Sequence, residues 1–300
     1  MRQARLIINP KSGVGRGYRY ARRIRRRLAA SGLTFHTSFG RNVGDIEHQA
    51  RKACDAGYKI IVVVGGDGTV HEAANAVLER GSDVTLGLIP MGTGNDFARA
   101  TGVPEDWRKA CDLIVDSIRA GTSRRVDAGR CNDFFFANGV GVGLDARVTI
   151  ASESLKWLPG ALAYVLALII VMVRGIPRAR AKISCDGNEI AQEVSMIATC
   201  NGAWLGGVFF IAPEARPDDG MLQVVIAEGL SRLAVMRLAP KALKGTHVNE
   251  PIAKFIDCRA VRIKLERPLP VESDGEVRCL AATALDIELL PGALKVFGSA

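Results

Sequence analysis

The sequence predicts an α/β fold in two parts, a parallel-sheet domain first and a mainly β domain after it. Three observations lead there. Strand and helix signals alternate through residues 5–120, the pattern of a parallel sheet flanked by helices. Glycine-rich loops follow three of those strands. Beyond Arg124, short strand signals succeed one another, separated by turns such as Asp186-Gly187-Asn188 and Asp218-Asp219-Gly220. A length of 300 residues favours two domains over one, with 48% hydrophobic content to fill their cores.

The elements follow in order. Arg5–Asn9 reads as a strand, Gly17–Ser31 as a basic helix, Thr34–Phe39 as a strand and Asp45–Ala56 as a helix. Lys59–Val64 is a continuous β-branched run, as a strand buried on both faces should be. Val70–Arg80 is a helix, Thr85–Ile89 a strand, and Asp96–Ala100 and Asp106–Ala120 are helical. In the second part Phe134–Asn138, Ala181–Cys185, Glu193–Cys200, Leu222–Ala227, Ala260–Leu265 and Ala284–Leu289 read as strands, with helices around 157–173 and 231–244. The domains are therefore expected at 1–124 and 125–289.

Charge and cysteine usage narrow the setting. The net charge is +9, and Arg16, Arg19, Arg22, Arg23, Arg25, Arg26 and Arg27 crowd one stretch. Such a face is either simply solvated or draws polyanions such as nucleotides and anionic lipid headgroups. Nucleic acid is not expected, because only Tyr18 and Tyr20 interleave the arginines and no nucleic-acid motif is present. Seven scattered cysteines without CxxC spacing predict free thiols in a reducing, cytoplasmic compartment and no zinc site. Trp157 to Val173 is almost wholly apolar. It falls short of the roughly 20 residues a membrane span needs and reads as a buried or interfacial helix.

The loops carry the chemistry. They are Asn9-Pro10-Lys11-Ser12-Gly13-Val14-Gly15-Arg16-Gly17, Gly65-Gly66-Asp67-Gly68-Thr69 and Gly92-Thr93-Gly94-Asn95-Asp96-Phe97. Glycine permits a tight concave turn and close approach of a ligand. Successive N–H groups in such a turn attract anions, and a following helix adds its positive end. Three such loops at successive strand ends point to nucleotide phosphates. Neither a GxGxxG fingerprint nor a GxxxxGK[ST] loop occurs; GVGRG at 13–17 and GVGVG at 139–143 lack the spacing. Asp67 inside a phosphate cradle makes sense with a divalent cation between them, or as a turn aspartate capping its own backbone. Thr69, Thr93 and Asn95 can hydrogen-bond phosphate or ribose oxygens. His36, His48, His71 and His247 are isolated in sequence, and no Ser/His/Asp arrangement is evident.

GGDGTVHEAANAV (65–77), GTGNDFARATGVP (92–104) and NPKSG (9–13) resemble the diacylglycerol kinase-type lipid kinase family. The likeness continues through APEARPDDGML (212–222) and VESDGEV (271–277). It implies an amino-terminal ATP-binding α/β domain, a carboxyl-terminal β-sandwich-like domain, and a final strand, within 290–300, that returns to the first domain. It implies nucleotide contacts from Asn9, Lys11, Gly65, Gly66, Asp67, Gly68, Thr69, Gly92, Thr93 and Asn95. It also implies magnesium, held by the Asp219 side chain and the backbone carbonyls of Arg216 and Met221, and general-base work by Asp274 or Glu276. The implied reaction is transfer of the ATP γ-phosphoryl group to a lipid hydroxyl, diacylglycerol above all, by an enzyme docked on an anionic membrane surface and possibly homodimeric. Asp274 and Glu276 flank Gly275, so an extended segment would turn both to one face and a turn would separate them. Many relatives carry threonine where Gly40 stands. The alternatives are an NAD kinase-like enzyme, which shares the GGDGT loop, and a non-catalytic nucleotide- or lipid-binding regulator.

Overall fold

The computed structural model describes residues 3–42, 44–81, 83–155, 157–158 and 160–299. The chain divides into two compact units, Met1–Asp127 with Pro291–Ala300, and Ala128–Leu290.

In the discontinuous unit the first four strands alternate with helices. They are β1 (Gln3–Ile8), α1 (Ser12–Leu28), β2 (Thr34–Phe39), α2 (Asp45–Asp55), β3 (Ile60–Gly65), α3 (Asp67–Arg80), β4 (Thr85–Pro90), α4 (Asp96–Ala100) and α5 (Trp107–Ala120). All pairings among these strands are parallel: β1 with β2 (Leu6 opposite Thr37), β1 with β3 (Leu6 opposite Val62) and β3 with β4 (Val62 opposite Gly87). The reason lies in the sequence. Ile61–Val64 and Leu86–Ile89 are β-branched or leucine-rich and buried on both faces, as in a parallel sheet whose crossover helices cover both sides. Lys295 and Val296 add a further parallel pairing, to Thr85 and Leu86 of β4. One layer of the core gathers Leu6, Ile8, Val62, Val64 and Ile89 with Ile24, Leu28, Ile114 and Phe297. Gly40 follows β2, and a side chain there would require Ile46 to move, since a Cβ would lie 2.7 Å from Ile46 Cδ1.

The second unit is antiparallel. The chain reaches it within β5 (Arg124–Cys131) and continues through β6 (Phe134–Phe136), β7 (Gly139–Gly143), α6 (Leu144–Glu153), α7 (Gly160–Arg174), β8 (Ala179–Cys185) and β9 (Asn188–Cys200). It closes with β10 (Leu222–Glu228), α8 (Arg232–Ala242), β11 (Ala253–Cys258), β12 (Ala260–Ser273) and β13 (Glu276–Val296). The strand order is β11-β10-β9-β7-β12-β13, with β8 pairing both β9 and β12. Alternating burial along β8 and the first half of β12 turns one face to a core of Phe136, Val140, Ile183, Ile197, Val224, Ile263 and their neighbours. GVGVG, read from sequence as a glycine pattern, is strand β7. Its glycines are demanded by crowding: a Cβ on Gly143 would lie 2.5 Å from the Ser195 carbonyl oxygen.

From Gly160 onward the apolar segment forms α7, packed on α6 and α8 through Ala167, Leu168 and Val171. Its other side leaves Leu162, Val165, Ile169 and Val173 exposed. Among the described residues, no helix is long and apolar enough to cross a membrane.

Candidate active site

The three glycine loops leave the carboxyl ends of neighbouring strands β1, β3 and β4, and the structure ties them together. Asn9 N–H donates to the Val64 carbonyl at 2.9 Å, and Met91 N–H to the Gly65 carbonyl at 2.8 Å. The Asn9 side-chain amide donates to Thr69 Oγ1 at 3.0 Å, while its oxygen accepts from Lys11 N–H at 3.0 Å. Gly66 and Gly92 press backbone on backbone: a Cβ on Gly66 would lie 2.8 Å from Gly92 Cα. That approach requires glycine on both sides.

Asp67 is the first residue of α3, and both its carboxylate oxygens are engaged. Oδ2 accepts from Asn95 N–H and Oδ1 from Asp96 N–H, each at 2.7 Å. Asn95 adopts a left-handed φ of 55°, which turns these two amides toward the acid. Its own side chain closes the loop, with Oδ1 accepting from Gly92 N–H at 3.0 Å and the amide donating to the Gly92 carbonyl at 3.2 Å. The carboxylate thus caps backbone, but that of the neighbouring loop and not its own. The side chains of Asn9, Thr69 and Asn95 hydrogen-bond one another and the loop backbones. The cradle that results is backbone. The first α-helical bond of α3 runs from Val70 N–H to the Gly66 carbonyl, so the amides of residues 67–69 belong to a helix end that favours anions. Lys11 and Thr93 lie exposed beside it.

The Asp274–Glu276 motif is a two-residue hairpin. Ser273 pairs with Glu276 across Asp274 and Gly275, whose φ values are 50° and 84°, the double left-handed conformation of a type I′ turn. The turn separates the two acids. Asp274 is 9% exposed, and its carboxylate accepts the N–H groups of Ala137, Asn138 and Gly139 at 2.9, 2.8 and 2.9 Å. Glu276 is exposed.

Asp219, Arg216 and Met221 share one loop, with Asp219 and Arg216 exposed. Asp219 Oδ1 accepts from Met221 N–H at 3.0 Å. One carboxylate and two backbone carbonyls are oxygen donors, the chemistry magnesium takes. Among the described residues, no three carboxylate, histidine or cysteine side chains gather as a metal cluster. Asp127, 4% exposed, accepts from Gly292 N–H at 2.7 Å and so fastens the returning segment.

Two acids near the turn escaped the sequence reading, Glu272 and Asp145. Glu272 is 2% exposed, and its Oε2 accepts from Gly275 N–H at 2.8 Å. The available signal was a lone acid inside Leu269–Ser273, an otherwise uncharged run.

Comparison with known proteins covers both units. Residues 3–144 match the diacylglycerol kinase catalytic domain, and residues 138–298 match the YegS C-terminal NAD kinase beta sandwich-like domain. A protein of Bacillus subtilis (strain 168) named diacylglycerol kinase is 31% identical over 278 residues, 92% of this chain and 90% of that protein. One of the same name from Mycobacterium tuberculosis (strain CDC 1551 / Oshkosh) is 30% identical over 97% of this chain and 93% of its own. Among solved structures, a diacylglycerol kinase from Bacillus anthracis str. Sterne superposes with a TM-score of 0.77 at 25% identity, covering 99% of this chain and 97% of that one. The loops, the hairpin and the alignment over nearly the whole length agree: the chain belongs to the diacylglycerol kinase family of lipid kinases.

Proposed function

We propose that this protein transfers the γ-phosphoryl group of ATP to the hydroxyl of diacylglycerol, giving phosphatidic acid. The observation that carries the reading is the cradle at the start of α3, where Asp67 locks two glycine loops into a backbone surface for phosphate. Phosphoryl transfer asks a protein chiefly for positioning and charge stabilisation, and rigid backbone donors provide both.

The remaining groups divide the work. Glu276 is the exposed member of its hairpin and accepts the proton of the acceptor hydroxyl. Asp274, bound by three amides, fixes the turn that presents it. Magnesium would be held by Asp219 with the carbonyls of Arg216 and Met221, and would neutralise phosphate charge. An apolar cavity of about 90 Å³ in the second unit, lined by Leu144, Val148, Leu168, Phe209, Ile211 and Val235 among others, has room for no more than the end of an acyl chain. The exposed apolar side of α7, with Leu233 and Met236 of α8, and the arginines of α1 suit peripheral contact with an anionic membrane.

Labelled ATP in mixed micelles tests the reading. Transfer to diacylglycerol, in preference to sphingoid bases, monoacylglycerol and NAD, is expected. No transfer to any lipid alcohol would overturn it, and transfer to NAD alone would replace it with the NAD kinase alternative.

A further inference from the structure

The proposed reaction leaves two buried acids of the second unit without a task. Glu272 stands at the end of β12, two residues before the Asp274 turn. Asp145 lies in the first turn of α6 and also lines the apolar cavity. Glu272 Oε1 and Asp145 Oδ2 are both sealed from solvent, and no amide or hydroxyl of a neighbouring residue donates to either. The two oxygens converge above Gly141, where a Cβ would lie 2.5 Å from the first and 2.1 Å from the second. Two ionised carboxylates facing each other without water repel strongly, so such pairs keep a proton between them.

We propose that Glu272 and Asp145 hold one proton in common, and that this bridged pair positions the Asp274-Gly275-Glu276 turn. The positioning role rests on the reading of Glu276 as the base. The chain of bonds is continuous: Gly275 N–H donates to Glu272 Oε2, and Glu272 Oε1 carries the proton toward Asp145 Oδ2. Burial, then the neighbouring charge and hydrogen bond of Asp145, push the Glu272 carboxyl well above its ordinary value. Burial also raises Asp145, while its bond to Glu272 acts in the opposite direction. The other titratable groups whose fields couple to the pair are Asp274, from the same hairpin, and Cys200 of β9. Burial and the two acids push the Cys200 thiol well up, so it adds no charge at neutral pH. A single negative charge shared by two residues is thereby fixed under the catalytic turn, in the space that the missing Cβ of Gly141 leaves.

Two substitutions and one spectrum decide the matter. Glu272→Gln copies the protonated acid, with a carbonyl for Gly275 N–H and an amide to donate to Asp145. Its kcat should stay within about threefold of wild type, whereas Glu272→Ala should lower kcat about 100-fold, the scale of a misplaced catalytic group. Infrared spectra of the protein without lipid or nucleotide should show a protonated carboxyl C=O band at neutral pH that Glu272→Gln removes. Absence of that band from wild type would overturn the shared proton, and Glu272→Gln falling as far as Glu272→Ala would overturn the positioning role. Circular dichroism checks that the alanine variant folds; the glutamine variant and the spectrum stand without it. A wild type that shows the band but phosphorylates no lipid alcohol would refute the kinase reading while supporting the shared proton.

Discussion

Replacing Asp67 with asparagine separates two descriptions of the same residue, a loop clamp and a cation ligand. In the structure its carboxylate receives two backbone amides, both at 2.7 Å, from Asn95 and Asp96. Hydrogen bonds to a charged group contribute about 1.5–3 kcal/mol each. Asp67 is half-buried, so water can take over part of what is lost and the lower figure applies. Asp67→Ala removes both bonds and should cost about 3 kcal/mol. Asp67→Asn keeps one acceptor but turns an NH2 toward the other amide, and should cost about 2 kcal/mol. Urea unfolding of the protein without nucleotide or metal measures this directly, and calorimetric titration with ATP reads the cradle itself. Both variants should unfold earlier and bind ATP more weakly in the absence of magnesium. If Asp67→Asn unfolds within about 0.5 kcal/mol of wild type, the range of an ordinary surface change, the clamp is refuted. Loss of turnover alone would then point to a cation ligand.

Two further outcomes follow from the packing. Gly66→Ala brings a Cβ to 2.8 Å from Gly92 Cα, a contact of backbone with backbone that no rotamer relieves; overpacking of this kind costs about 1–3 kcal/mol, and thermal unfolding with ATP titration should show both a lower midpoint and weaker binding. His247 is 5% exposed and lines the apolar cavity, and burial lowers its pKa from 6.5. The unfolded chain therefore takes up a proton that the folded one refuses, so the contribution of the neutral ring is complete above about pH 6.5 and declines as pH falls toward the folded value. Unfolding free energies followed down from neutrality should show this fall, and His247→Gln should flatten it.

Much of the first unit was legible because its strands announce themselves. Lys59–Val64 is a β-branched run of the kind a doubly buried strand shows, and β3 occupies Ile60–Gly65; glycine loops that follow β1, β3 and β4 meet where those strands lie side by side. The work of the loop side chains was hidden. Asn9, Thr69, Asp67 and Asn95 are residue types that could serve a phosphate or a neighbouring amide equally well, and sequence does not say which is within reach. The second unit read less clearly. Strand β7 is GVGVG, in which glycine suppresses every strand signal, and its glycines answer to crowding from β9 and from two acids elsewhere in the chain. Glu272 and Asp145 are far apart in sequence, and nothing local marks them as partners. The hairpin turn at Asp274-Gly275 resolved what the motif left open, because a double left-handed turn sends its flanking acids to different environments.

The strand β13 has a consequence for how the protein is made. Lys295 and Val296 complete the pairing of β4, and Leu294, Val296 and Phe297 are buried in the first unit. A ribosome supplies those residues only after the whole of Ala128–Leu290 has been translated. The unit that starts first is therefore the one that must wait, its sheet edge at β4 uncovered, while the continuous unit has every residue of its own core in hand before the chain turns back.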